Sequence, residues 1–136
     1  MKLNHDCVRE CLLWIESNVN FADDESPQNL IKDLSESKDF TNDEILYSLE
    51  KLKEASYITG GISVSHGIGG NNIVQINSIE EITWEGHKYL DNIRDPKIWS
   101  DTKKATKSFT SVSLSMMGNI ASQVIASVVK QSLNLP

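Results

Sequence analysis

The stretch Leu49–Val64, LEKLKEASYITGGISV, decides how this chain is read, because its periodicity changes partway along. Leu49 and Leu52 continue a helical spacing begun by Ile45 and Leu46. From Tyr57-Ile58 onward the chain reads as extended, through Ile62 and Val64. Upstream, Thr41-Asn42-Asp43-Glu44 is a capping box, which starts a helix running from Thr41 to about Ala55. Downstream, Gly67-Ile68-Gly69-Gly70-Asn71-Asn72 supplies turn chemistry before a second extended run, Ile73 to Ile79. Val74 and Ile76 alternate there with Gln75 and Asn77, whereas Ile73 and Ile79 fall on the other face. The unit reads as a helix followed by a β-hairpin.

The flanks extend this pattern. Val8, Leu12, Ile15 and Val19, with Cys11 and Trp14 alongside, predict a helix over Asp6–Val19. Asn20–Glu25 is polar and acidic and reads as a loop. Ser26-Pro27 is an N-cap with proline at the first helical position, but Gln28–Leu34 fits a short helix or a short strand equally. After the hairpin, Thr83 caps a helix to about Ile93, with Trp84, His87, Leu90 and Ile93 on one side. Asp95-Pro96 caps the next helix, through Trp99 towards Lys107. A Ser/Thr-rich joint, Thr106–Ser113, leads to a last helix in which Met117, Ile120, Ala121, Val124, Ile125 and Val128 form an apolar stripe. The expected fold is mainly α with a small β-hairpin. It is a winged helix-turn-helix domain over 1–95 followed by a C-terminal helical extension over 96–136. The extension either packs on the domain, through helix 1, or forms a dimer interface, with Gly118, Ala121 and Ser122 allowing close approach.

The chain has 136 residues, with 39% hydrophobic and 24% charged content, which suits one folded domain with a modest core. Its net charge of −6 opposes nonspecific nucleic-acid binding, because neutralising phosphates takes Lys and Arg. The N-terminal residues turn polar too early for a secretory apolar region. Two Cys four residues apart make no disulfide framework, so a cytoplasmic setting is expected. No charge falls between Lys107 and Lys130, but Ser111, Ser113, Ser115, Asn119, Ser122, Gln123 and Ser127 interrupt that segment. It is not expected to span a membrane.

Asp6-Cys7-Val8-Arg9 with Leu12-Leu13, the run Leu49–Ile58, the run Ile82–Asp95 that includes Thr83-Trp84-Glu85-Gly86-His87, Trp99 and Lys103-Lys104 together resemble the YjcQ-like winged-helix family. The resemblance covers nearly the whole chain. It implies the winged-helix fold and a setting in Gram-positive bacteria and their phages and prophages. It brings no catalytic residues and no activity. Many winged helices close the helix before the wing with Ala-Gly; here the pair is Ala55-Ser56.

No catalytic, cofactor or metal site emerges from the residues. Glu85 and His87 could act as proton carriers, but two residues apart on a helix they point to different faces. The structural expectation is that Trp84 and Leu90 pack in the core while Gly86 permits close approach of the hairpin. His5, Cys7 and Cys11 lack the fourth ligand of a zinc site and read as a helix with buried free thiols. The Gly67–Asn72 segment has no Gly-Lys-Ser or Gly-Lys-Thr after it and opens no helix, so it reads as a wing tip, not a phosphate loop. Asp23-Asp24-Glu25 lacks the alternation of a calcium loop.

The fold invites a test for DNA binding. The start of the candidate recognition helix carries Asp43 and Glu44, where base edges would be read. Between Lys53 and Lys88 there is no Lys or Arg, so the wing has no cation for the phosphate backbone. The expectation is therefore a non-enzymatic protein that binds another protein more readily than DNA, and the family resemblance implies a phage or prophage setting with a host or phage protein as partner. Asp43, Glu44, Tyr47 and Glu50 on the acidic helix, with Asn71 and Asn72 on the wing, form the expected surface. The alternative is a DNA-binding regulator using Lys51, Lys53, Lys103, Lys104 and Lys107.

Overall fold

The computed structural model describes residues 1–21, 23, 25–66, 69 and 72–134. It is mainly helical with one antiparallel hairpin, in the order α1 (His5–Asn18), α2 (Pro27–Ser37), α3 (Asn42–Glu54), β1 (Ile58–His66), β2 (Asn72–Ile82), α4 (Trp84–Ile93), α5 (Pro96–Thr106) and α6 (Leu114–Ser132). The chain divides into two compact units, Met1–His87 and Lys88–Pro136.

In the first unit, the helix starts follow their caps. Asn4 accepts from the Cys7 amide at 3.1 Å and starts α1. Ser26 and Pro27 start α2, so the ambiguous Gln28–Leu34 segment is helical. Pro27 lacks only an amide hydrogen that a first helical turn leaves unused. Thr41 and Glu44 form the full capping box of α3. The three helices bury Val8, Leu12 and Ile15, then Leu30 and Leu34, then Ile45, Leu49 and Leu52. Trp14 Nε1 donates to Asp33 at 2.8 Å and joins α1 to α2.

The irregular apolar spacing of the second strand has a definite origin. Thr59 pairs with Glu81 and Gly60 with Ile79; Gly61 pairs with Ser78 and Ile62 with Ile76. Glu80 and Asn77 are therefore extra residues on β2, two bulges opposite consecutive glycines. Gly60 has φ +146°, and a Cβ there would lie 2.4 Å from the Ser78 carbonyl oxygen, so the position beside the Glu80 bulge requires glycine. The bulge at Glu80 lets Ile79 and Ile82, three apart, both be buried. Ile79 also exchanges both backbone hydrogen bonds with Glu25, at 2.9 and 3.1 Å, so the linker between α1 and α2 touches the hairpin as an isolated bridge.

The base of the hairpin is closed by Thr83. Its amide donates to Tyr57 O at 2.9 Å and its hydroxyl donates to Ser56 O at 2.6 Å, while Thr83 Oγ1 accepts from the Gly86 amide. Ser56 has φ +61° and fills the left-handed position without glycine. Gly86 does allow the hairpin to approach: a Cβ there would lie 2.1 Å from Tyr57 O. Trp84, expected in the core, is 79% exposed. Within this unit the start of α4 turns Gly86 inward against the hairpin and leaves Trp84 and His87 exposed.

In the second unit, Asp95 accepts from the amides of Lys97 and Ile98 and starts α5. Ser113 caps α6 by accepting from the Met116 amide. α5 packs against α6, and Gly118 sits on the Tyr89 ring, 3.1 Å from where a Cβ would be. α6 has 19 residues and α5 has 11, about 28 Å against about 16 Å. Met117 and Ala121 are buried, whereas Val128 and Val129 further along are 40% and 48% exposed.

Two substitutions at the hairpin base have opposite signs. Gly86→Ala drives a methyl into the Tyr57 carbonyl and should lower stability by about 3 kcal/mol. Ser56→Gly relieves the left-handed backbone and should raise it by up to about 1 kcal/mol. Urea denaturation of both variants checks the pair.

Candidate functional site

The binding surface expected from the sequence falls on α3. Asp43 is exposed; Glu44, Tyr47 and Glu50 are partly covered. Tyr47 lies under the Lys51 ammonium, 5.3 Å from the ring centroid. Lys51 also reaches Glu54 at 2.7 Å and Glu50 at 4.0 Å. Asn71 lies outside the described residues, as does the side chain of Asn72, whose backbone begins β2.

Glu44 has structural work on this surface. One oxygen accepts from the Thr41 amide at 3.1 Å, and the other accepts from Asn4 Nδ2 at 2.6 Å. Asn4 in turn caps α1. A single carboxylate thus joins two helix N-termini, where the partial positive charge of each favours an anion. The Asn4 hydrogen bond, then the Thr41 amide, hold its carboxyl below the ordinary value.

The lysines of α3 are also engaged within the fold. Lys53 Nζ donates to the Gly60 carbonyl at 2.8 Å, at the bulge. Lys103, Lys104 and Lys107, the other cations of the DNA alternative, belong to the second unit and are exposed. Lys103 stacks over Trp99, 5.8 Å from the ring centroid. The division of charge is sharp. Residues 1–87 carry six Lys/Arg and sixteen Asp/Glu, net −10; residues 88–136 carry seven and three, net +4.

Cys7 and Cys11 are free and buried. The hydrogen bond to Cys7, then burial, push the Cys11 thiol well up, which suits an inert core position. Among the described residues no group of three or more His, Cys, Asp or Glu could hold a metal ion.

One feature of the first unit has no counterpart in the sequence reading. A cavity of about 190 Å³ lies between the end of α1 and the end of β2. Ile15, Val19 and Ile82 supply apolar lining, Glu16, Glu80 and Glu81 supply carboxylates, and Phe21 and His87 also line it. The adjacent Glu80-Glu81 pair was the available signal. A regular strand sends neighbouring side chains to opposite faces, and the bulge at Glu80 departs from that alternation beside the cavity.

A winged-helix-like arrangement of helices and one small hairpin, with helices following it, is the class this fold defines. Residues 2–113 match the family described as "Hypothetical protein (DUF2513)", and the chain belongs to that family. It is similar to a Haemophilus influenzae protein described as "Uncharacterized protein", with 28% identity over 134 residues, 98% of this chain and 99% of that one. No solved structure matches. Among the described residues no helix is long and apolar enough to cross a membrane.

The Glu44 junction makes stability depend on pH in one direction. A carboxylate with a lowered folded-state pKa contributes stability that is fully present above its unfolded value, about 4.3. The contribution is lost as pH falls through the lowered value. Glu44→Gln should therefore melt below the parent chain at pH 6 to 7, and the gap should close towards about pH 3. Thermal melts of both proteins across that range check it.

Proposed function

We propose that this chain acts without catalysis, by binding another protein through its acidic first unit. The observation that carries the reading is the net charge of −10 on residues 1–87, together with the internal engagement of Lys51 and Lys53. A helix and wing meant for a phosphate backbone need free cations there. Asp43, Tyr47 and Glu50, with Asn71 and Asn72, are the proposed contact residues. Glu44 anchors them by fixing the start of α3. The partner's complementary face is basic, so charge steers the encounter. The YjcQ-like resemblance supports a phage or prophage setting and a host or phage protein as partner. The cytoplasm is the proposed compartment.

One observation favours the alternative of a DNA-binding regulator: the second unit is net +4, with Lys103, Lys104 and Lys107 exposed. In that reading the extension grips phosphate and the winged unit plays a lesser part. The exposed valines of α6 are the proposed contact for a second copy.

A charge-reversal experiment separates the readings. Asp43→Lys and Glu50→Lys leave the Glu44 junction intact. They should abolish recovery of a protein partner from lysate of the source cells while the variants remain folded. Recovery unchanged by both reversals overturns the proposal. Titration of a fluorescent duplex should give weak binding; tight binding with a steep salt slope, lost on replacing Lys103, Lys104 and Lys107 by Ala, establishes the alternative.

A further inference from the structure

The cavity beside β2 joins three properties. Its apolar surface comes from residues such as Val19 and Ile82. Two adjacent exposed glutamates of β2, Glu80 and Glu81, line it, with Glu80 the extra residue of a bulge. At its margin Phe21 is 93% exposed, far more than packing of a large aromatic side chain would leave. Bulges commonly re-aim side chains at functional positions. Here Glu80, the bulged residue, Glu81 and Glu16 of α1 put three carboxylates around one cavity.

The size of the cavity limits what enters. At about 190 Å³ it is smaller than the roughly 300–1,000 Å³ of small-molecule sites. It suits one side chain of a larger molecule. The carboxylates exclude phosphate and select a cation. Paired carboxylates match the planar fork of a guanidinium better than a single ammonium. The alkyl stem of an arginine would lie along the apolar lining, and its guanidinium could face the Phe21 ring.

We propose that this cavity is the docking pocket for an arginine side chain, flanked by an apolar residue, on a protein partner. The proposal rests on the protein-binding reading above. It adds a second contact point on the same unit, away from α3, and names its chemistry.

The test uses the whole chain and a defined probe. The capped tripeptide Leu-Arg-Leu is titrated into isotope-labelled protein and amide chemical shifts are followed. Shifts should concentrate at Val19, Phe21, Ile82 and His87. Replacing the arginine by citrulline, which keeps shape and loses charge, should weaken binding about tenfold or more. The double variant Glu80→Gln/Glu81→Gln, at exposed positions, should weaken it to a similar degree, and Phe21→Ala should weaken it independently. Equal binding of the citrulline peptide overturns the proposal, as do shifts centred on α3. Asp43→Lys and Glu50→Lys should leave the titration unchanged. A pocket that fails while those reversals still abolish partner capture removes the pocket alone. A pocket that binds while capture ignores the reversals removes the α3 surface alone.

Discussion

The first unit depends on one threonine that closes the hairpin. Thr83 satisfies the carbonyls of both Ser56 and Tyr57, the two residues that turn the chain from α3 into β1. The same hydroxyl accepts the Gly86 amide and begins α4. Three elements therefore meet at one side chain, and the backbone polar groups that would otherwise be left open at a helix end and a strand end are paired. The joint holds because Gly86 has no Cβ. Any larger residue would separate α4 from Tyr57 and break the shared hydrogen bonds together.

A second constraint is electrostatic. Glu44 links the starts of α1 and α3 through Asn4 and Thr41, while Lys53 at the other end of α3 holds the Gly60 carbonyl of β1, opposite the bulge. Residues of each sign that look like surface charges in the sequence are thus parts of the frame. What remains outside on the first unit is mostly carboxylate. The proposed functions follow from this remainder: the contacts left over after the fold has used its own charges are acidic on α3 and acidic again beside β2.

The helices were legible because their starts are chemical events. Ser26-Pro27, the Thr41–Glu44 box and Asp95-Pro96 each place a side-chain acceptor where orphan amides need one, and each starts a helix in the structure. The hairpin was legible from its change of period. Two features were not. Trp84 shares helical spacing with His87 and Leu90, and hydrophobicity alone puts it inside; the rotation of α4 is set by the absent Cβ of Gly86, a tertiary contact. The cavity was hidden for a related reason. Strand reading assumes strict alternation, and the two bulges suspend it. Ser56 shows the converse case. Its departure from the usual Ala-Gly ending leaves the turn intact, since the left-handed backbone is kept at a strain that the Thr83 contacts offset.

The outward position of Trp84 gives the molecule an optical asymmetry. Of the three indoles, Trp14 and Trp99 are buried and Trp84 stands in water. Its emission is therefore the long-wavelength component of the native spectrum and the part most open to collisional quenchers. Trp84 directly follows Thr83, so that component reports on the joint that closes the hairpin.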